Sequence, residues 1–160
     1  MFKFLVRPKP SGDLIRSSLF NEQTFYGSFA KDLRCAKKRV IIESPYLTER
    51  RALQFQKLLK KLVKQGVKIT IYTRYPKCHD KLLEIQAWKA IRVFNSSGVR
   101  VRSYRDMRHR KLAMIDDDIL WEGSLNIFSQ CNSLEIMRRT KSTILCKQML
   151  RFTGIDRWFW

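Results

Sequence analysis

The chain has 160 residues and a mass of 19.1 kDa, a length that fits one domain built round a single core. Hydrophobic residues make up 44% and aromatics 12%, which excludes wholesale disorder and the fibrous and low-complexity classes. The charge is the abnormal quantity: 33 Lys and Arg against 14 Asp and Glu leave a formal +19, and a surface that positive calls for a polyanionic partner, nucleic acid ahead of an anionic membrane.

The apolar start Met1 to Val6 stops at Arg7-Pro8, too short for a secretory signal, and no apolar run nears the ~20 residues of a spanning helix. A cytoplasmic protein is expected. Phe25, Phe29, Leu33 and Ala36 recur at helical spacing, with Lys37-Lys38-Arg39 favourably placed at the C-terminal end, so a helix is predicted near 22–37. The β-branched run Arg39 to Ser44, closed by Pro45, reads as a buried strand, parallel because both of its faces are apolar. Residues 49–65 set Leu53, Leu58, Leu59, Leu62 and Val63 among Lys and Gln, an amphipathic helix with Gly66 as its C-cap. Val67 to Thr73 alternates as a second strand, and a helix over about 80–95 leads into a third, Val99 to Tyr104. This alternation predicts an α/β fold, a mostly parallel mixed sheet flanked by helices. The pattern then changes. Lys111 to Ile115 and Asp118 to Trp121 flank an acidic turn at Asp116-Asp117 and read as a hairpin. Ser133 to Met137 adds a strand and Ser142 to Phe152 a last helix, with no internal repeat and no linker, so residues 1–160 form one domain.

Cys35, Cys78, Cys131 and Cys146 are too scattered for a zinc or redox pair. They read as buried or half-buried free thiols of a reducing compartment. Cys78-His79 has nothing nearby to complete a metal shell, and no metal site is expected.

Strand geometry groups four polar residues. His109 and Lys111 are two apart, as are Ser124 and Asn126, so each pair projects to one face of an extended segment, and a hairpin closing near 116–118 brings the pairs together. An imidazole, a cation and two hydrogen-bonding groups suit a phosphoryl centre with developing equatorial charge. Asp116 reads as a turn residue whose carboxylate binds backbone.

His109-Arg110-Lys111, four residues, Asp116, six residues, then Gly123-Ser124-Leu125-Asn126 resembles the HxK(x)4D(x)6GSxN signature, or HKD motif, of the phospholipase D superfamily. The resemblance covers roughly 22–150. One motif copy per chain resembles the small dimeric bacterial endonucleases of that superfamily, and implies a homodimer that builds one shared site. It further implies phosphodiester chemistry with no cofactor or metal: His109 of one subunit attacks phosphorus to give a phosphohistidine, His109 of the other protonates the leaving oxygen, and water reverses the two steps. Lys111 and Asn126 would hold the non-bridging oxygens, Ser124 would add a hydroxyl contact, and Gly123 and Asp116 would serve structure. By the same resemblance Glu135 accepts the imidazole's second N–H and fixes its tautomer; the alternative for Glu135 is a solvated carboxylate or an ion pair with Arg138 or Arg139. His79 has no lysine or asparagine at matching spacing and is a poor second nucleophile.

Charge, not motif, points to the substrate. Arg100 and Arg102 alternate on one strand and Arg105, Arg108 and Arg110 follow, a basic track toward the scissile phosphate, with a solvated sheet edge as the bland reading. The expected substrate is nucleic acid, DNA ahead of RNA. The segments Trp121 to Asn126 and Glu135 to Arg139 also resemble HKD nuclease domains joined to helicase-like proteins, which makes a helicase-like partner domain a further expectation. Two other functions stay open: a DNA-binding module without turnover, and a lipid hydrolase, which would need an exposed apolar approach surface. Trp158-Phe159-Trp160 is a candidate part of the dimer interface, with core packing as the alternative.

Overall fold

In chain order the secondary structure runs β1 (Arg16–Asn21), α1 (Phe25–Arg34), β2 (Arg39–Glu43), α2 (Glu49–Lys64), β3 (Lys68–Arg74), a short 3₁₀ turn (Pro76–Cys78), α3 (Lys81–Ser96), β4 (Arg100–Tyr104), β5 (Leu112–Ile115), β6 (Ile119–Gly123), β7 (Ile136–Lys141) and α4 (Thr143–Thr153). These come from a computed structural model that describes residues 16–129 and 131–155; the N-terminal apolar stretch and Trp158-Phe159-Trp160 lie outside the described residues.

Among the described residues seven strands form one sheet in the order β1-β7-β6-β5-β2-β3-β4. It is mixed, as expected, with the balance reversed. Only β2–β3 and β3–β4 are parallel, joined by the crossover helices α2 and α3, while the other four pairings are antiparallel. The reason is the second half of the chain, where a hairpin and a returning strand need no crossover. The turn Asp116-Asp117 has φ of 53° and 59°, and the Asp118 N–H reaches the Ile115 carbonyl at 3.1 Å, a hairpin turn whose twist matches its strands.

Three expectations shift. The helix foreseen over 22–37 is shorter because the N–H groups of Lys37, Lys38 and Arg39 donate to the Asp116 carboxylate, at 2.7, 2.8 and 3.0 Å, and not to helical carbonyls. The strand foreseen at 133–137 starts at Ile136, because Ser133 and Glu135 are held by side-chain bonds described below. On α2 the buried stripe is Ala52, Phe55, Leu59 and Leu62, and Leu53 faces outward. β1 was not foreseen.

Helices α1, α2 and α3 cover one sheet face, where Phe25, Phe29, Val40, Ile42, Trp121 and Phe128 pack. Helix α4 covers part of the other, over Ile41, Tyr72, Met114 and Leu120. Of the four free thiols only Cys146 is buried, which pushes its pKa up to about 12; Cys35, Cys78 and Cys131 are exposed, a correction to the buried reading, because none of them falls on a core-facing position.

Candidate active site

The segment His109 to Lys111 runs extended into β5, and its end is pinned to β6 by the Gly123 N–H, which donates to the Lys111 carbonyl at 3.3 Å. Register fixes the rest: Leu112 faces Glu122, so the chain leaves β6 as Gly123-Ser124 directly beside Lys111. Gly123 is required there. A Cβ on it would run into the Ile136 carbonyl oxygen and come within 2.9 Å of Met137 Cα on β7. The same close approach lets the Ser124 N–H bond the Ile136 carbonyl at 2.9 Å, while Ser124 Oγ accepts from the Ile136 N–H at 3.1 Å.

Lys111 is buried apart from 9% of its surface. Its Nζ lies 2.6 Å from His109 Nδ1, 3.3 Å from Nε2 and 2.7 Å from the His109 carbonyl oxygen. Burial and then the charges of Lys111 and Arg74 hold the His109 imidazole below its usual pKa. Burial likewise depresses Lys111, opposed by the nearby Glu135 carboxylate. These shifts disfavour the imidazolium and favour the neutral ring, which has a lone pair available.

Glu135 is placed differently from expectation. Its carboxylate accepts from the hydroxyls of Ser124 and Ser133, the latter at 2.7 Å, and its N–H donates to Glu22 at 3.0 Å. The His109 ring instead meets Lys111 and the edge of Tyr46, whose centroid is 5.8 Å away. The alternative salt bridge is not formed either: Arg138 bonds Ser17, and Arg139 is held by Asp32 at 2.6 and 2.9 Å. Within the chain Glu135 therefore positions Ser124 and biases Lys111. Asn126, two residues beyond Ser124, has its Oδ1 buried and unpaired.

The arginines divide. Arg108 and Arg110 do not form an open track, because both guanidiniums pair with Glu43, which ends β2 and is wholly buried; Arg110 meets it at 3.0 and 3.1 Å and Arg108 at 3.4 Å. Arg108 also binds Asp106 and stacks on Tyr104. Arg100 is exposed and Arg102 half-buried on the edge strand β4, and Arg105 lies over the Tyr75 ring. Glu43 was missed although its signal was in the sequence: it directly follows the apolar run Val40-Ile41-Ile42 of a strand read as buried, and an ionisable group buried there needs a partner. Arg74, the last residue of β3, and Tyr46 and His79, on the segments that follow β2 and the 3₁₀ turn, also reach this end of the sheet and belong to no motif. A cleft of about 570 Å³ opens beside Arg110, Lys111, Gly123 and Ser124, with Leu19 and Ile136 on its apolar side. Among the described residues no group of three or more His, Cys, Asp or Glu is placed to hold a metal ion, and no helix is long and apolar enough to cross a membrane.

An imidazole, an ammonium and a hydroxyl on one sheet end, framed by a glycine-tight hairpin, are the fold and motif of the phospholipase D superfamily. The chain belongs to it: residues 29–153 match the family model described as the cardiolipin synthase PLD-like domain. Among solved structures the fold is similar to that of NucT from Helicobacter pylori, with 21% identity, a TM-score of 0.68, and 86% of this chain and 92% of that one covered. It is similar also to Nuc from Salmonella typhimurium, described as a phospholipase D family member, with 18% identity, a TM-score of 0.73 and coverage of 90% and 94%. Phosphatidylserine synthase from Haemophilus influenzae shares it at 17% identity and a TM-score of 0.63, over 90% of this chain and 39% of that one. A search of the curated proteins finds no match.

Proposed function

We propose that the protein is a metal-independent phosphodiesterase that cleaves nucleic acid, DNA ahead of RNA as the expected substrate, as a homodimer with one shared site. The observation that carries this reading is the His109–Lys111 contact beside Ser124 in a chain of net charge +19. A neutral His109 nitrogen attacks phosphorus and the bond to the leaving oxygen breaks. The imidazolium of the second subunit's copy of that histidine gives its proton to that oxygen. Water then attacks the phosphohistidine, loses a proton to the same imidazole, and frees His109. Lys111, Ser124 and Asn126 stabilise the equatorial charge, and the open arginines Arg100, Arg102 and Arg105 contribute affinity that salt screens. A helicase-like partner domain is a compatible setting.

The test is cleavage of labelled single- and double-stranded oligonucleotides in EDTA, with acid-quenched trapping of the covalent adduct. Wild type should cleave and form an adduct, and His109→Ala should do neither; binding without cleavage would instead identify a DNA-binding module. A second reading has its own observation. Leu19, Ile136 and Phe152 are exposed to 61%, 60% and 85% close to the cleft, an apolar approach of the kind a lipid hydrolase needs. Release of headgroup from phospholipid vesicles, with oligonucleotides left intact, would favour it.

A further inference from the structure

Among the described residues three buried side-chain atoms lack a hydrogen-bond partner: Asn126 Oδ1, Arg74 Nε and His79 Nε2. A buried polar group left unpaired costs about 1–3 kcal/mol, so an unpaired guanidinium N–H and an unpaired imidazole nitrogen outside the motif mark a place where a ligand is accepted. Arg74 closes β3, and the turn Pro76–Cys78 carries the chain back so that His79 follows it. The Arg74 Nη2 donates to the Cys78 carbonyl at 3.2 Å, which fixes the guanidinium and leaves Nε free. His79 stacks obliquely on Tyr46 at 5.1 Å, and the same Tyr46 ring meets His109 at 5.8 Å. Asp80, the nearby carboxylate, is occupied as the N-cap of α3, accepting from the Leu83 N–H at 3.0 Å. Arg74 depresses the pKa of both histidines, which sets its charge within reach of each.

We infer that Arg74 and His79, spaced from His109 by Tyr46, form an anion subsite for the phosphate next to the scissile one. The Arg74 Nε–H donates from a permanent cation, and His79 Nε2 donates to a second phosphate oxygen in the tautomer or charged form that carries its proton there. Tyr46 gives the strand a wall between the two phosphates. This rests on the nuclease reading above, and deepens it by giving the site a polarity along the strand: one neighbouring phosphate is gripped by Arg74 and His79.

The experiment compares a dinucleoside monophosphate, which has only a scissile phosphate, with trinucleoside diphosphates that add one phosphate on either the 5′ or the 3′ side. In wild type one of the two trinucleotides should show kcat/KM about tenfold above the dinucleotide, chiefly through KM. In Arg74→Gln that advantage should collapse toward one, and His79→Gln should remove part of it. An advantage that is equal in wild type and in both variants overturns the subsite. Oligonucleotide binding by anisotropy separates this from the nuclease reading: if wild type cleaves nothing, the enzyme falls, and the subsite stands or falls on whether Arg74→Gln lowers the log–log salt slope by about 0.7–0.9. An unchanged slope overturns it.

Discussion

Gly123 shows what a single missing methyl group does. Alanine there meets the backbone of β7, which cannot swing away as a side chain would, so Gly123→Ala should cost at least about 1–3 kcal/mol and displace Ser124. Gly27, exposed on α1 with nothing within 4 Å of an added methyl, supplies the opposite case: Gly27→Ala should gain up to about 1 kcal/mol of helix propensity. Thermal unfolding of the two variants in parallel checks both signs. At His109 the issue is the proton. Burial, Lys111 and Arg74 all disfavour the imidazolium, so NMR titration should place His109 below its ordinary value near 6.5. Removing the ammonium in Lys111→Met should move it upward. The acid limb of kcat/KM should follow the free enzyme's value, and the requirement for one neutral and one protonated imidazole should bend the profile into a bell. A rate that climbs without turning over to pH ~9 would point to hydroxide attack in its place.

Elements connect such residues over long sequence distances, and this separates what was legible in the chain from what was not. The helices α1, α2 and α3 were legible because a 3.6-residue period is a local signal, and the motif was legible because hairpin register turns spacing into contact. β1 was not, since Arg16–Asn21 is an edge strand with little burial and only Leu19 and Phe20 as apolar residues. The partners of Glu135 and Glu43 were not legible either: Glu135 is captured by a hydroxyl 11 residues away across a turn, and Glu43 by guanidiniums 65 and 67 residues away. Glu43 ties the segment that carries His109 to the central strand β2. Because its carboxylate is fully buried and Arg110 pairs with it through two bonds and Arg108 through a third, Glu43→Gln should cost about 3 kcal/mol, in the range for breaking a buried ion pair. It should also lower cleavage more than oligonucleotide affinity, by loosening residues 106–111 while leaving Arg100 and Arg102 on β4 and Arg105 over Tyr75 in place. Urea unfolding together with kcat and Kd on one oligonucleotide measures this; full activity with unchanged stability would show that the arginines, not Glu43, hold the loop.

For the whole molecule, the proposed dimer and the proposed substrate should respond to salt in opposite directions. In that dimer two chains of net charge +19 would repel, and the Debye length of ≈ 8 Å at physiological ionic strength shortens as salt rises, so added salt should strengthen the association. Phosphate binding weakens with salt because it releases condensed counterions, with a log–log slope of ≈ −0.9 per contact on a duplex. If both motif histidines are needed at one site, activity at dilute protein should therefore pass through a maximum in salt, and raising protein concentration should move that maximum to lower salt. At saturating dimer it should vanish and leave a monotonic decline. Subunit mixing tests the same dependence directly: with equal amounts of wild type and His109→Ala and free exchange, roughly a quarter of the dimers are wild type on both sides, so activity per wild-type subunit should fall to about half. Sedimentation run beside the assay should find dimer wherever there is turnover; a monomer that is fully active at assay concentration would place both halves of the chemistry within one chain.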